Sequence, residues 1–243
     1  MNPENVVAIP DDFVTIDIET TGLDQFNHNI LEIAYVVGDQ DVETIHFPWW
    51  FTVWASADPR ALTVNKWFER EAVAINQGVA KRAVKQWLYG KWDDVPLVNQ
   101  GEYGQTTHAY ATLGEYADTQ HNEEMKWRAQ MNKFLKETQG KTLVGAALTF
   151  DVKFIEAFMH DNSMKAYLLN EKFEPNHRLW DVQMYAAGKY SWDKAKSLKE
   201  TISAVDPNYD YVTRTDHTAA GDVEATRRLF RVLTRRVYLT GRV

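Results

Sequence analysis

The sequence contains no cysteine, which excludes disulfide bridges and thiolate metal sites and favours a reducing compartment such as the cytoplasm. No apolar run approaches the length of a membrane span, so we expect no membrane association. Residues 1–5 lack the basic and apolar pattern of a signal peptide, and none is expected. Internal repeats, low-complexity segments and Pro/Gly/Ser linkers are also missing. These absences predict one domain over residues 1–243.

Positive charge is scarce too, because 27 Lys and Arg stand against 34 Asp and Glu, a net charge of −7. Taken alone, this balance argues against a protein that binds nucleic acid. Residues 211–243 are the exception, since seven Arg against three acidic residues give a local charge of +4. An acidic protein can still act on nucleic acid if metal ions supply the positive charge, so the composition permits that class without pointing to it.

Hydrophobic residues make up 44% of the chain, and their patterns predict an α/β domain. The sheet is expected to be mixed, five-stranded and flanked by helices, and a short turn at Gly38 predicts that its second and third strands form a hairpin. Residues 56–141 are expected to be a longer region of helices and loops. The predicted strands are 13–18, 30–37, 42–51, 142–148 and 177–182, and the predicted helices are 122–138, 150–159 and 218–238.

Asp17 and Glu19 lie two residues apart at the end of the first predicted strand, so both side chains leave the same face. Two neighbouring carboxylates in an apolar setting repel each other unless a cation lies between them. The alternative is an exposed strand end that happens to be acidic, and for an isolated Asp-x-Glu pair that alternative is the commoner one.

Asp151 follows the apolar strand 142–148 and opens the next helix. An acidic residue there can simply complement the helix dipole. Its position beyond the carboxyl end of a strand, where ligands of α/β sheets bind, favours a functional role.

His217 and Asp222 surround the start of the last predicted helix. If Thr218 caps that helix, Asp222 lies in the first turn and His217 in the preceding loop, from which it can reach the same pocket. A loop histidine is more often a solvated side chain, so this pair alone is a weak signal.

The three pieces together are much more specific. Val14 to Asp24 with its Asp-x-Glu pair, Leu143 to Asp151, and His217 to Thr226 with His-x₄-Asp occur in the order that resembles the DnaQ-like (DEDD) exonucleases. That family has an RNase H-like fold, which the resemblance implies here. The sister subclass has Tyr four residues before the last acid. Thr218 stands there in this chain, so the resemblance is to the histidine subclass, DEDDh.

The resemblance implies a metal-dependent 3′→5′ exonuclease that releases nucleoside 5′-monophosphates from DNA or RNA. Asp17, Glu19, Asp151 and Asp222 would be catalytic as ligands of two divalent cations, Mg²⁺ or Mn²⁺, and His217 would be the general base. Many relatives carry Asn four residues before the third acid, where this chain has Ala147. Ala147 cannot make the polar contact that this Asn would make near the scissile nucleotide or with a neighbouring residue, but the metal ligands are unchanged.

The same resemblance assigns the substrate side. Ala57 to Asn65 is similar to the family's substrate loop, and the expected partner is single-stranded or 3′-end nucleic acid, with a polymerase in trans if the role is proofreading. Trp49, Trp50, Trp54 and Trp67 near the motifs could stack on bases or be ordinary aromatic filler. The stripe Arg227, Arg231 and Arg235 could follow a phosphate backbone or be a solvated face. The predicted substrate-binding residues are Thr20, Thr21, Gly22, Leu62, Asn65 and Phe150.

Three other functions remain open at this point. The first is a catalytically inactive nuclease-like module that binds nucleic acid or a polymerase, against which the presence of all four acids and the histidine speaks. The second is another RNase H-like enzyme, such as an endonuclease, which a circular substrate would reveal. The third is a small-molecule phosphohydrolase, which an assay of nucleotide release would expose.

Overall fold

The structure is a computed structural model that describes residues 9–47, 57–64, 113–161, 168, 171–211 and 218–240. A single sheet with strand order β3-β2-β1-β4-β5 runs through these residues. β1 is antiparallel to β2, and β2 to β3, whereas β4 is parallel to both β1 and β5. The strands are β1 Phe13–Thr20, β2 Ile30–Val37, β3 Glu43–His46, β4 Thr142–Gly145 and β5 Leu179–Asp181.

Helices cover both faces of this sheet, so the predicted α/β fold with a mixed five-stranded sheet is confirmed. No described helix has the length and apolar character needed to cross a membrane. The described helices are α1 Pro59–Val64, α2 Leu113–Thr138, α3 Leu148–His160, α4 Val182–Lys189, α5 Leu198–Val205 and α6 Ala219–Thr240.

The alternation in β1 decides which helices cover which face. Val14, Ile16 and Ile18 are buried in a core with α2 and α3 that includes the fully buried Trp127 and Phe134. Residues 15, 17 and 19 point to the opposite face because strand side chains alternate. On that face α6 packs with α4 and α5. The two predicted carboxylates of β1 therefore lie on the side of the sheet covered by α6.

Small side chains bring the start of α6 close to the sheet. Ala219 and Val223 pack against Ala34 and Val36 of β2 in one buried cluster. Ala34 is the register partner of Asp17. The first turn of α6 consequently lies beside the acidic end of β1.

Several predicted boundaries were wrong, each for a local reason. The strand predicted over 142–148 ends at Gly145, because the chain bends through Ala147, which has a positive φ of 56°, and α3 begins at Leu148. α2 begins at 113 rather than 122, and β3 covers 43–46, with the rest of the predicted strand partly outside the described residues.

α5 was not predicted at all, although the sequence carries a signal for it. Ser197 accepts a hydrogen bond from the Glu200 backbone N–H, and the Glu200 side chain accepts from the Ser197 backbone N–H, which is a capping box. Most of the predicted long region 56–141 lies outside the described residues, so the single-domain organisation stays a prediction.

A candidate metal centre

Three carboxylates meet where the end of β1 faces the start of α6. Asp17, Glu19 and Asp222 each offer a carboxylate oxygen, and these oxygens lie within 4.8 Å of one another. Strand alternation places the first two on one face. Thr218 accepts a hydrogen bond from the Gly221 backbone N–H at 3.1 Å through its hydroxyl, so it caps α6 and sets Asp222 in the first turn. The predicted cap at Thr218 is therefore confirmed.

Asp151 lies in the first turn of α3 and is 3% exposed. Its Oδ2 atom is buried and has no hydrogen-bond partner among the described residues. Burial raises the pKa of this carboxyl well above its usual range, and the charges of Asp181 and Glu19 raise it further. A buried carboxylate oxygen without a donor, beside other acids, is a position that a cation would satisfy.

Asp17 shows that the predicted acids form one electrostatic group. Its pKa is raised well above the usual range, first by removal from water and then by the charges of Asp151, Asp222 and Glu19, with Glu32 last. Carboxylate oxygens are the ligands that Mg²⁺ and Mn²⁺ prefer. The donor set therefore fits a hard divalent cation, and the repulsion among its members gives a physical reason to bind one.

Two acids near this group were missed by the sequence analysis. Glu32 lies opposite Glu19 in the β1–β2 register, is 3% exposed, and has its Oε2 3.4 Å from Nδ1 of His46. Its signal was a charged residue inside the otherwise apolar strand 30–37. Asp181 ends β5 and caps α4, its Oδ1 accepting two backbone N–H bonds at 2.9 Å. Its signal in the sequence was an acidic residue at the junction of a strand and a helix.

Thr20, at the end of β1, and the predicted substrate residues just after it are tied together by several hydrogen bonds. The Thr20 hydroxyl donates to the Gly22 carbonyl at 2.6 Å, and the Thr21 hydroxyl accepts from the Asn29 backbone N–H at 2.8 Å. A Cβ added at Gly22 would lie 2.3 Å from the His28 ring, so a larger residue there would have to displace that ring. The Thr21 carbonyl also accepts from the Asp58 backbone N–H at 2.6 Å, which joins the loop to the start of α1.

The other predicted substrate residues are placed as follows. Leu62, in α1, is fully buried, as is Thr21. Phe150 is partly buried and its ring packs on Phe154 with centroids 4.7 Å apart. Asn65 and His217 lie outside the described residues, as do the four tryptophans proposed for stacking. The geometry thus brings Asp17, Glu19 and Asp222 together, with the charge of Asp151 acting on Asp17, and the roles of all the predicted site residues stay predictions.

The arginine stripe of α6 makes contacts within the fold. Arg227 donates to the Gln40 carbonyl at 2.6 Å and pairs with Glu224, while Arg231 pairs with Asp39. Both guanidinium groups are largely covered, with side chains 12% and 21% exposed. The first two members of the stripe therefore hold α6 against the turn between β2 and β3, in place of either a phosphate track or a solvated face.

No protein-family model and no curated protein matches this chain. Solved structures similar to it include the crystal structure of E. coli Exonuclease I in complex with a dT13 oligonucleotide, at 14% identity and a TM-score of 0.49, covering 93% of this chain and 42% of that one. A second is E. coli Exonuclease I in complex with a 5cy-dA13 oligonucleotide, at 12% identity and a TM-score of 0.41, covering 91% and 40%. The chain thus spans about two fifths of the length of these structures.

Proposed function

We propose that this chain is a metal-dependent 3′→5′ exonuclease that removes nucleoside 5′-monophosphates from the 3′ end of DNA or RNA. The observation that carries the proposal is the meeting of Asp17, Glu19 and Asp222, whose carboxylate oxygens lie within 4.8 Å of one another, close enough to Asp151 for its charge to raise the pKa of Asp17. These are the four acids of the motif.

The four carboxylates would hold two Mg²⁺ or Mn²⁺ ions. When bound, such ions neutralise the charge of the scissile phosphate and make a water molecule a better nucleophile near neutral pH. The water oxygen forms a bond to phosphorus while the bond from phosphorus to the 3′ oxygen of the preceding nucleotide breaks. His217 would take the proton from the water through its imidazole, and the released 3′ oxygen takes up a proton to become the new 3′ hydroxyl.

Single-stranded ends are the substrate that the described surface favours. Leu23 and Phe26 lie in the loop directly after the acidic pair, and they are 78% and 82% exposed. An exposed aromatic ring beside a phosphate-processing site offers a stacking surface for a base, worth about 1–3 kcal/mol per base when it is used. Base stacking of this kind tolerates any sequence and involves no contact with the 2′ hydroxyl, so the proposal covers both DNA and RNA ends.

The test is digestion of single-stranded DNA and RNA, labelled at either end, with Mg²⁺ or with EDTA. We expect a 5′-labelled strand to shorten as a ladder, a 3′ label to appear first as a mononucleotide, and a closed circle to stay intact. Asp17→Asn is the inactive control. Asp24→Asn is its matched partner, because it makes the same charge change on an exposed loop residue whose bonds stay within the loop.

Four results would contradict the proposal. Nicking of the circle, or early release of the 5′ label, would indicate an endonuclease or the opposite direction. Oligonucleotide binding without any cleavage in Mg²⁺ or Mn²⁺ would favour the inactive nuclease-like module. Release of phosphate from nucleotides alone would indicate a small-molecule phosphohydrolase.

A further inference from the structure

Asp222 has a protein partner that the motif does not contain. The Tyr211 hydroxyl donates a hydrogen bond to Oδ1 of Asp222 at 2.7 Å. Tyr211 is 8% exposed, so this bond is shielded from competing water. Bonds from a hydroxyl to a charged carboxylate are short and stronger than neutral ones, and 2.7 Å is within their range.

The Tyr211 ring is held in place independently of the acids. It belongs to the apolar cluster formed by α4, α5 and α6. The segment before it is tied to α6 at a second point, because Arg228 donates to Oδ2 of Asp206 at 2.7 Å and lies 5.2 Å from the Tyr209 ring centroid. The Tyr209 backbone N–H donates to the Asp206 carbonyl, and the Tyr211 N–H to the Tyr209 carbonyl. The hydroxyl therefore reaches Asp222 from a rigid support.

A carboxylate beside two others would be expected to turn away from them. A hydrogen bond from a fixed donor opposes that rotation and stabilises the charged form beside its neighbours. In metal sites, the groups that hydrogen-bond to ligating carboxylates set their orientation and strengthen binding. The geometry of Tyr211 matches that role.

We propose that Tyr211 is a positioning residue for Asp222, holding its carboxylate in the orientation that binds the divalent cation. This proposal rests on the proposed function for the identity of Asp222 as a metal ligand. It adds that metal affinity depends on a hydroxyl outside the DEDDh motif.

The experiment compares Tyr211→Phe with Tyr209→Phe in the full chain. Both remove one hydroxyl from a buried tyrosine of the same short segment, and only Tyr211 donates to Asp222 in the structure. Mn²⁺ binding without nucleic acid is measured by electron paramagnetic resonance of free Mn²⁺. We expect Tyr211→Phe to weaken binding about 10- to 100-fold, the usual loss when such an outer partner is removed. Tyr209→Phe should match the wild type.

Activity provides the second readout. Tyr211→Phe should raise the Mg²⁺ concentration for half-maximal cleavage by the same factor, while kcat at saturating Mg²⁺ largely recovers. A structural defect would instead lower Tm and kcat without shifting the metal dependence. In an Asp222→Asn background, Tyr211→Phe should have no further effect on Mn²⁺ binding, because the two residues act through one interaction.

The outcomes separate this proposal from the one on which it rests. If the wild type trims 3′ ends with Mg²⁺ and Tyr211→Phe binds Mn²⁺ as tightly as the wild type, the positioning role is overturned and the exonuclease proposal stands. An additive effect of Tyr211→Phe in the Asp222→Asn background would overturn it as well. If the wild type binds no Mn²⁺, the proposed function fails and the positioning role fails with it.

Discussion

Asp17→Asn is expected to stabilise the metal-free protein while abolishing cleavage. The substitution keeps the shape of the side chain and removes one charge from a group in which three carboxylates lie within 4.8 Å. Without a cation, the folded state holds these charges close together, whereas the unfolded chain separates them. Clustered like charges lower the stability of the fold, so a gain in stability on removing one of them would indicate that the group serves a purpose other than stability.

The size of the gain follows from the distance between the charges. At 4.8 Å, the upper limit of these oxygen separations, two unit charges repel by about 3.5 kcal/mol at an effective dielectric constant of about 20, and by about 0.9 kcal/mol in bulk water. Asp17 is partly exposed, so we expect a value between these limits for each neighbour. For a domain of this size each kcal/mol shifts Tm by about 2–4 °C, so the bulk-water value for two neighbours, about 1.8 kcal/mol, should already raise Tm in EDTA by about 4–7 °C.

The pH dependence of stability gives the sign of this effect independently. The pKa of Asp17 is raised in the folded state, so between its ordinary value and the raised one the folded protein binds more protons than the unfolded chain. Wild-type stability therefore falls as pH rises through that window. The advantage of Asp17→Asn should be largest at neutral pH and disappear in acid, below the ordinary pKa of the carboxyl.

The assay is thermal unfolding of the wild type, Asp17→Asn and Asp24→Asn in EDTA and in Mg²⁺, from acidic to neutral pH. Asp24→Asn is the control of opposite sign, because hydrogen bonds from the Phe26 backbone and the Asn27 side chain lower the pKa of Asp24. Its Tm should not rise. Mg²⁺ should stabilise the wild type more than Asp17→Asn. A lower Tm for Asp17→Asn than for the wild type in EDTA at neutral pH would refute the reasoning.

Three further predictions concern His217, Gly22 and Asp181. His217→Ala should lower kcat by about 10²- to 10⁴-fold, as expected for the loss of a general base, and should leave Mn²⁺ affinity at the wild-type value. Unchanged kcat across neutral pH would show that the histidine has no catalytic role. Gly22→Ala should destabilise the loop by about 1–3 kcal/mol because its Cβ would meet the His28 ring, and His28→Ala in the same chain should recover part of that loss in urea unfolding. Asp181→Asn should keep Tm in EDTA or raise it, because Asn caps α4 equally well while the charge that raises the pKa of Asp151 is removed. Asp181→Ala should lower the free energy of unfolding by about 1 kcal/mol, because the cap is lost. Equal losses for both variants would contradict this explanation.

Much of the site could be predicted because its residues sit in strong local patterns. The alternation of β1 fixes the face of Asp17 and Glu19, and the cap at Thr218 fixes the turn that carries Asp222. Local patterns also give the class of fold, since strands and helices alternate in the second half of the chain.

The contributions of Glu32, Asp181 and Tyr211 could not be predicted in the same way. Each depends on a neighbour from a different element: Glu32 on the register with β1, Asp181 on the parallel pairing with β4, and Tyr211 on the packing of its segment against α6. Periodicity reports which face a residue occupies and carries no information about what lies opposite. The contacts of Arg227 and Arg231 could not be predicted for the same reason, because their partners Gln40 and Asp39 lie in the turn between β2 and β3.

The pairing of Arg231 with Asp39 and the contact of Arg227 with Gln40 have a consequence for the order in which the acidic site assembles. They join the last described helix, which carries Asp222, to a turn near the first strand, so the three carboxylates cannot meet in a nascent chain before α6 has emerged and docked. Any cation bound to the finished site is a bridge between distant parts of the polypeptide, and it adds about 2.7 kcal/mol to global stability at a concentration one hundred times its Kd. Undocking of the first turn of α6 would then release a bound cation before the sheet unfolds. Protection of the α6 amides in hydrogen exchange should accordingly rise and fall with the occupancy of the site.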